Sequence, residues 1–504
     1  MGLYALRAKV ALEASLRDRQ GQAARSLAEA RRIEAESDAE RTRALELFDA
    51  DDHDTGETTY GEARRLALQA DAHLHEAAQV LEGALLVEPS RPEVRQGLAE
   101  VLLQRAELAE RWHRRELLAT ILERLATVDD GGAVLARWHA PASLAIASEP
   151  AGAALTLCEY REAEGRLGLH ACRAVGPAPQ TLTLPPGSYR VTLELPARPS
   201  VVYPVALRRA ERLEASVPMP EVVPEGFVYV PPGRFLYGSN EPDEVRQVFA
   251  APPLHEARTD GFFIAVHEVT FGEWLTYLRS LPEPERSHRT PSSSHFGASV
   301  QLRREPDGRY GLQLTPASRT YAAAEGEPLL YAGRARRAQQ DWLRLPVTGV
   351  SPLDAEAYAR WLAARIPLPG VRLCTEREWE RAARGADARR YPHGQELAPE
   401  DANIDLTYGR VPEAFGPDEV GTYPASRSPF GVEDMAGNVW EIVRAGEEFV
   451  LRGGGFYQTA QAASAWNSDH AAAGSRDTRM GLRLCADARV HLVPWAGSRR
   501  EAAD

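Results

Sequence analysis

With 504 residues, the chain is too long for one hydrophobic core, and domain sizes predict about three domains. Its 59 Lys and Arg against 72 Asp and Glu give a net charge of −13, which argues against general binding of a phosphate backbone and of nucleic acid. Cys158, Cys172, Cys374 and Cys485 are too few and too scattered for a disulfide framework or a zinc site, so a reduced, cytoplasmic setting is expected. No stretch reaches the ~18 consecutive apolar residues of a membrane span, and the first residues lack the apolar core of a secretion signal.

Residues 1–132 read as a helical, tetratricopeptide-like region. Ala, Leu, Glu and Arg dominate it, and apolar residues such as Val80, Leu81, Ala84 and Leu85 recur at helical spacing. Breaks are expected at 49–61 and 88–92, with Ser90 capping a helix that begins near Pro92. Residues 77–89 resemble the second helix of a tetratricopeptide repeat. A single copy cannot bury a solenoid core, so an irregular array of helical hairpins is the expectation. His73 and His75, two residues apart on a helix, point to different faces and read as solvated side chains.

After Asp129-Asp130-Gly131-Gly132 the composition changes, and residues 138–218 read as a small β-sandwich. Strands are expected at 143–147, 153–160, 181–184, 189–195 and 201–207. The alternation of Tyr189, Val191, Leu193 and Leu195 and the turn Pro185-Pro186-Gly187-Ser188 carry that reading. Glu149-Pro150-Ala151-Gly152-Ala153 and Leu184-Pro185-Pro186-Gly187-Ser188-Tyr189 resemble PEGA-type β modules, which act as spacers beside bacterial signalling and surface domains.

A proline-punctuated linker leads to the third domain, residues 224–490, and a C-terminal tail at 491–504. Strands are expected at 227–235 and 262–270, with Thr270 capping a helix at 271–278. Residues 282–345 form a polar insertion with an Asp307-Gly308 hairpin, and its Arg334, Arg336 and Arg337 read as a solvated helix face. A helix is expected at 352–364, and another behind Thr375 and Glu378, a capping box. Beyond Gly385, loops rich in Gly, Pro, Asn and Asp run to the last strands, near 449–452 and 481–485.

Tyr229-Val230-Pro231-Pro232-Gly233-Arg234-Phe235, Glu268-Val269-Thr270, Pro346-Val347-Thr348-Gly349-Val350-Ser351, Arg372-Leu373-Cys374-Thr375-Glu376-Arg377-Glu378-Trp379-Glu380, Asp434-Met435-Ala436-Gly437-Asn438-Val439-Trp440-Glu441, Arg452-Gly453-Gly454-Gly455-Phe456 and Gly481-Leu482-Arg483 stand in this order. Together they resemble the formylglycine-generating enzyme family, the sulfatase-modifying factors, over residues 224–488. The resemblance implies a C-type-lectin-like fold for the C-terminal domain, so that with the helical array and the small β-sandwich before it a multidomain α+β chain is expected. The family's oxidases bind copper through two cysteines about five residues apart, because Cu(I) requires soft thiolates. In this chain residues 456–480 hold no cysteine. The expected positions fall near Ala460 or Ala463 and near Ala465 or Ser468, so copper is not expected. A branch with histidine-bound iron is not expected either, since His113 has no second histidine one helical turn away.

The resemblance also implies structural calcium, held by oxygens of Asn403, Ile404, Asp418, Asn438, Val439 and Glu441. In the alternative, Asn438 and Glu441 only hydrogen-bond the turn. Trp440, Trp466, Asn467, Asp469 and His470 are the candidate ligand-binding residues, with Trp466 either an aromatic anchor or a core residue. The expected function is a non-catalytic recognition or scaffold protein of bacterial signalling, engaging a protein partner through its helical region and C-terminal loops. The alternative is a formylglycine-type oxidoreductase acting on a substrate cysteine with other metal ligands. Helices, β module and C-terminal domain in series are similar to the region behind the kinase domain of some bacterial serine/threonine kinases, and no kinase motif occurs here.

Overall fold

A computed structural model describes residues 2–295 and 297–488, so the tail expected at 491–504 lies outside the described residues. The chain divides into two compact units, one ending at Pro141 and one beginning at Ala142.

The first unit comprises α1 (Gly2–Asp49), α2 (His53–Val87), α3 (Pro92–Arg111), α4 (Arg115–Val128) and α5 (Ala133–Trp138). Alanines set the spacing between α1 and α2: Ala30, Ala63, Ala70 and Ala77 are fully buried, and Ser37 Oγ donates to Ala63 O at 2.8 Å. The break expected at 49–61 shrinks to three residues, because the Asp52 carboxylate caps α2 by accepting from Thr55 N. Ser90 does not cap α3. Arg91 occupies that position, Pro92 opens the helix, and Ser90 Oγ donates to Glu88. At 48 and 35 residues, α1 and α2 are each as long as or longer than a whole two-helix tetratricopeptide repeat of about 34 residues. His75 is not simply solvated, because Arg105 Nη1 lies 3.1 Å from its Nδ1 while Arg105 Nε holds the buried Asp71 at 2.6 Å.

The second unit opens with seven strands, two more than expected: β1 (Ala142–Glu149), β2 (Ala154–Ala163), β3 (Arg166–Pro177), β4 (Gln180–Leu184), β5 (Gly187–Glu194), β6 (Val201–Leu207) and β7 (Arg212–Pro218). They form two sheets, ordered β4-β1-β7 and β3-β2-β5-β6. The missed β3 is exposed or half-exposed throughout, so it carries no alternation to read. Leu144, Ile146, Leu155, Val191 and Leu193 from these sheets lie in one continuous core with Tyr229, Phe263, Phe271 and Trp274 of the following domain. Polar contacts run along the same seam, among them Arg234 with Glu211 at 2.5 Å and Ser188 with Asp387 at 2.6 Å. The module is thus packed into the C-terminal domain and is not a flexible spacer.

Beyond it lie two further four-stranded sheets that frame the loops. One contains Arg372–Leu373, Leu484–Asp487, Phe262–Ala265 and Phe227–Val230; the other contains Ser468–Ala471, Glu448–Arg452, Trp440–Ala445 and Met480–Leu482. Helices Phe271–Ser280, Pro352–Ala363 and Glu376–Arg384 each start in a complete capping box, at Thr270/Glu273, Ser351/Asp354 and Thr375/Glu378. The insertion is a four-stranded antiparallel meander, Ser292–His295 through Tyr321–Ala324. Its Val300, Leu302, Leu312 and Leu314 join the common core. Arg334, Arg336 and Arg337 lie in a non-helical stretch, and Arg334 is buried.

The expectation for the cysteines is corrected. Cys158 bonds Cys172, and Cys374 bonds Cys485 across 111 residues of sequence. The second pair becomes adjacent because Arg372–Leu373 aligns with Leu484–Asp487, a register invisible in the spacing. The reduced, cytoplasmic setting rested on unpaired cysteines and loses that basis. Among the described residues no helix is long and apolar enough to cross a membrane.

Candidate functional site

The turn at 434–441 exists because three of its residues accept left-handed backbone: Asp434 at φ 58°, Gly437 at 75° and Asn438 at 63°. At Gly437 a Cβ would lie 2.4 Å from Asn403 O, so only glycine fits. Asn438 then ties four segments together. Its N–H donates to Asn403 O (2.8 Å), its Oδ1 accepts from Asp418 N (2.9 Å), its Nδ2 donates to Glu268 Oε1 (3.3 Å), and its carbonyl accepts from Phe456 N (2.9 Å). Val439 is fully buried.

Glu441 sits at the centre of a buried charge cluster. It accepts from Trp379 Nε1 at 2.6 Å and from Arg483 at 2.8 and 2.6 Å. Arg483 also donates to the carbonyls of Ala265, Val266 and Glu433. Burial works against its charge, and Glu441 and Glu268 more than restore it, so its pKa is raised. The carboxyl of Glu268, 3.6 Å from Arg483 Nη2, is pushed well above the usual range, first by burial and then by Asp434. Its Oε2 has no hydrogen-bond partner.

Asp418 anchors a second buried cluster. Arg334 Nη1 reaches it at 2.5 Å, and the hydroxyls of Tyr408 and Tyr423 donate at 2.8 and 2.5 Å. The Arg334 guanidinium lies 3.8 and 3.9 Å from the ring centroids of Tyr331 and Tyr408. Asn403 donates to Gly416 O at 2.9 Å but leaves its buried Oδ1 unpaired. Ile404 N donates to Thr407 Oγ1.

The structure therefore brings Asn403, Asp418 and Asn438 together, and Asn438 links them through Glu268 to the charge cluster of Glu441. As oxygen donors they fit calcium only in part, because Asp418 and Glu441 already hold Arg334 and Arg483, and Asn403 Oδ1 is the acceptor left over. Among the described residues no cysteine is free. Nor, among those residues, do three or more His, Cys, Asp or Glu side chains gather in a metal-ligating group.

The candidate ligand-binding residues separate into two kinds. Trp466 is 2% exposed and meets the Phe249 ring edge-on at 5.4 Å. Asn467 is buried and donates to Ala462 O, and the buried Trp440 donates from Nε1 to Tyr457 at 3.3 Å. Asp469 and His470 are exposed, with His470 Nδ1 3.5 Å from Glu448. Arg452 pins this segment to the scaffold by donating to Ala465 O and to Glu376, each at 2.6 Å, and to Glu380.

In the sequence Glu268, Arg452 and Arg483 stand only as motif letters and Tyr408 and Tyr423 carry no signal, while Arg334, expected on a solvated helix face, is buried against Asp418. The signal for the first three was the motifs themselves: a charged residue buried among such turns needs an opposite charge or hydrogen-bond partners nearby.

Residues 214–488, more than half of the chain, match the family model described as "Sulfatase-modifying factor enzyme 1-like domain". The chain is 30% identical over 250 residues to the inactive C-alpha-formylglycine-generating enzyme 2 of Mus musculus, spanning 46% of this chain and 75% of that protein. To the formylglycine-generating enzyme of Thermomonospora curvata it is 29% identical over 229 residues, 44% of this chain and 72% of that protein. A similar stretch, 29% identical over 239 residues, covers 47% of this chain and 30% of the serine/threonine-protein kinase pkn1 of Chlamydia caviae. The ordered motifs, the turn they build and these matches agree that the chain belongs to the sulfatase-modifying factor (formylglycine-generating enzyme) family.

Proposed function

We propose that this chain is a non-catalytic member of its family, a recognition or scaffold protein whose C-type-lectin-like domain binds a protein ligand through its loops. The observation that carries the reading is chemical: the four cysteines of the chain are consumed in two disulfides, and the segment that holds the copper thiolates in the oxidases offers alanine and serine instead. The similarity to an inactive mouse relative supports it. The similarity to a kinase that carries the same domain supports a signalling setting.

The binding face is centred on Asp469 and His470, the exposed members of the candidate set, while Trp440, Trp466 and Asn467 are buried. Surface plasmon resonance of candidate signalling partners against the full chain and against Asp469→Ala/His470→Ala tests this. Loss of binding with unchanged stability is expected; unchanged affinity would move the face elsewhere. Structural calcium remains part of the proposal through Asn403 Oδ1 and the neighbouring Ile404, Asn438 and Val439 loops. Isothermal titration with calcium chloride tests it, and absence of heat together with an unshifted melting temperature would remove it.

A further inference from the structure

The two disulfides stand in opposite surroundings. Cys374 and Cys485 are fully buried within an apolar cluster that includes Trp379, Ile264 and Val443. Cys172 is exposed, and it lies on β3, the edge strand of its sheet. The β2–β3 ladder is irregular at this point. Leu157 pairs with Arg173 and Glu159 with His170, so Cys158 faces two residues, and one of these, Ala171, has φ 49°. The covalent bond thus crosses the hairpin where the backbone ladder is interrupted, and it joins the buried Cys158 to the exposed Cys172.

The tip of this hairpin packs on the loop that supports the candidate site. Gly165 O accepts from Gln395 N (2.7 Å) and Glu396 N (3.1 Å), Leu167 N donates to His393 O (2.9 Å), and Arg166 pairs with Asp401. From that loop Tyr391 OH donates to Ala460 O (2.9 Å), and Arg390 O accepts from Ala465 N (2.8 Å). One chain of contacts therefore runs from the Cys158–Cys172 bond, through the hairpin and residues 390–396, to the segment that ends at Asp469 and His470.

We infer that Cys158–Cys172 is a reducible latch whose state sets the order of residues 460–465, while Cys374–Cys485 is structural. A dithiol reductant attacks the sulfur of the exposed residue Cys172 and displaces the Cys158 thiolate, which takes up a proton. The second thiol of the reductant then resolves the mixed disulfide and releases Cys172 as a thiol. Two electrons pass to the protein disulfide, the reductant becomes a disulfide, and two S–H bonds replace one S–S bond. Accessibility governs this step, and a bond to an exposed edge strand reacts where a bond inside a packed core does not. Once cut, the irregular part of the β2–β3 ladder is held by hydrogen bonds alone and its tip loosens from residues 393–396.

The test is differential alkylation and hydrogen–deuterium exchange, read by mass spectrometry, on the full chain over a dithiothreitol series. Cys158 and Cys172 should become labelled at a dithiothreitol concentration at least tenfold below that needed for Cys374 and Cys485. At the same step, exchange at 391–396 and 460–465 should rise. Cys158→Ser/Cys172→Ser should show the raised exchange without reductant, and Arg166→Ala should raise it while leaving the labelling step in place. Simultaneous labelling of both pairs, or labelling of the first pair with unchanged exchange at 460–465, would overturn the inference.

Discussion

Residues 434–441 and 464–470 hold similar materials, each with a tryptophan, an asparagine and an acidic group, and the fold uses them differently. In the first, every polar side chain is directed inward: Asn438 bridges four segments, and Glu441 faces Arg483. In the second, Trp466 and Asn467 face inward and only Asp469 and His470 meet solvent. A polar residue in a loop is therefore no guide to a binding surface in a domain built largely of loops, because the loops themselves form the interior and their buried polar groups must be paired. The first turn is scaffold, and the second is scaffold with a two-residue face.

That contrast can be broken most forcefully at Arg483. Arg483→Ala leaves Glu441 and Glu268 buried without their cation, and a loss of about 3–5 kcal/mol is expected in chemical denaturation. Trp466→Ala should cost a comparable ~3–5 kcal/mol through the cavity it opens against Phe249. An unchanged denaturation midpoint would return Trp466 to the role of a surface anchor.

Glu268 sharpens the comparison through pH. Its native pKa lies above the unfolded value, so between the two the native state binds more protons than the unfolded state, and stability falls as pH rises beyond the ordinary carboxylate range near 4.5. Glu268→Gln, which cannot ionise beside Asp434, Glu441 and Arg483, should flatten that slope in denaturation series from pH 5 to 8. Thr375→Ala removes half of a capping box and should cost about 1 kcal/mol. Asp469→Ala and His470→Ala should each stay within about 0.5 kcal/mol of the parent, as surface changes do.

What was legible followed from local chemistry. The Thr375/Glu378 capping box, the Thr270 cap, the Asp307-Gly308 hairpin and the ordered motifs are written in short stretches, and each forms where its residues predict. What was not legible depends on partners distant in sequence. Arg334 looked like one of a solvated basic run, yet two tyrosine rings and Asp418, 84 residues away, make it a core residue. Cys374 and Cys485 are joined by a strand register, and β3 escaped notice because neither of its faces is buried. The same limit explains Trp466, whose neighbour Phe249 lies in a loop more than two hundred residues earlier.

The central claim, that the family scaffold is kept here without its oxidase chemistry, is tested most directly by incubating the purified chain with copper, oxygen and a Cys-x-Pro-x-Arg peptide and measuring aldehyde by mass spectrometry. The account predicts recovery of unmodified cysteine peptide. Catalytic accumulation of the formylglycine product would contradict it.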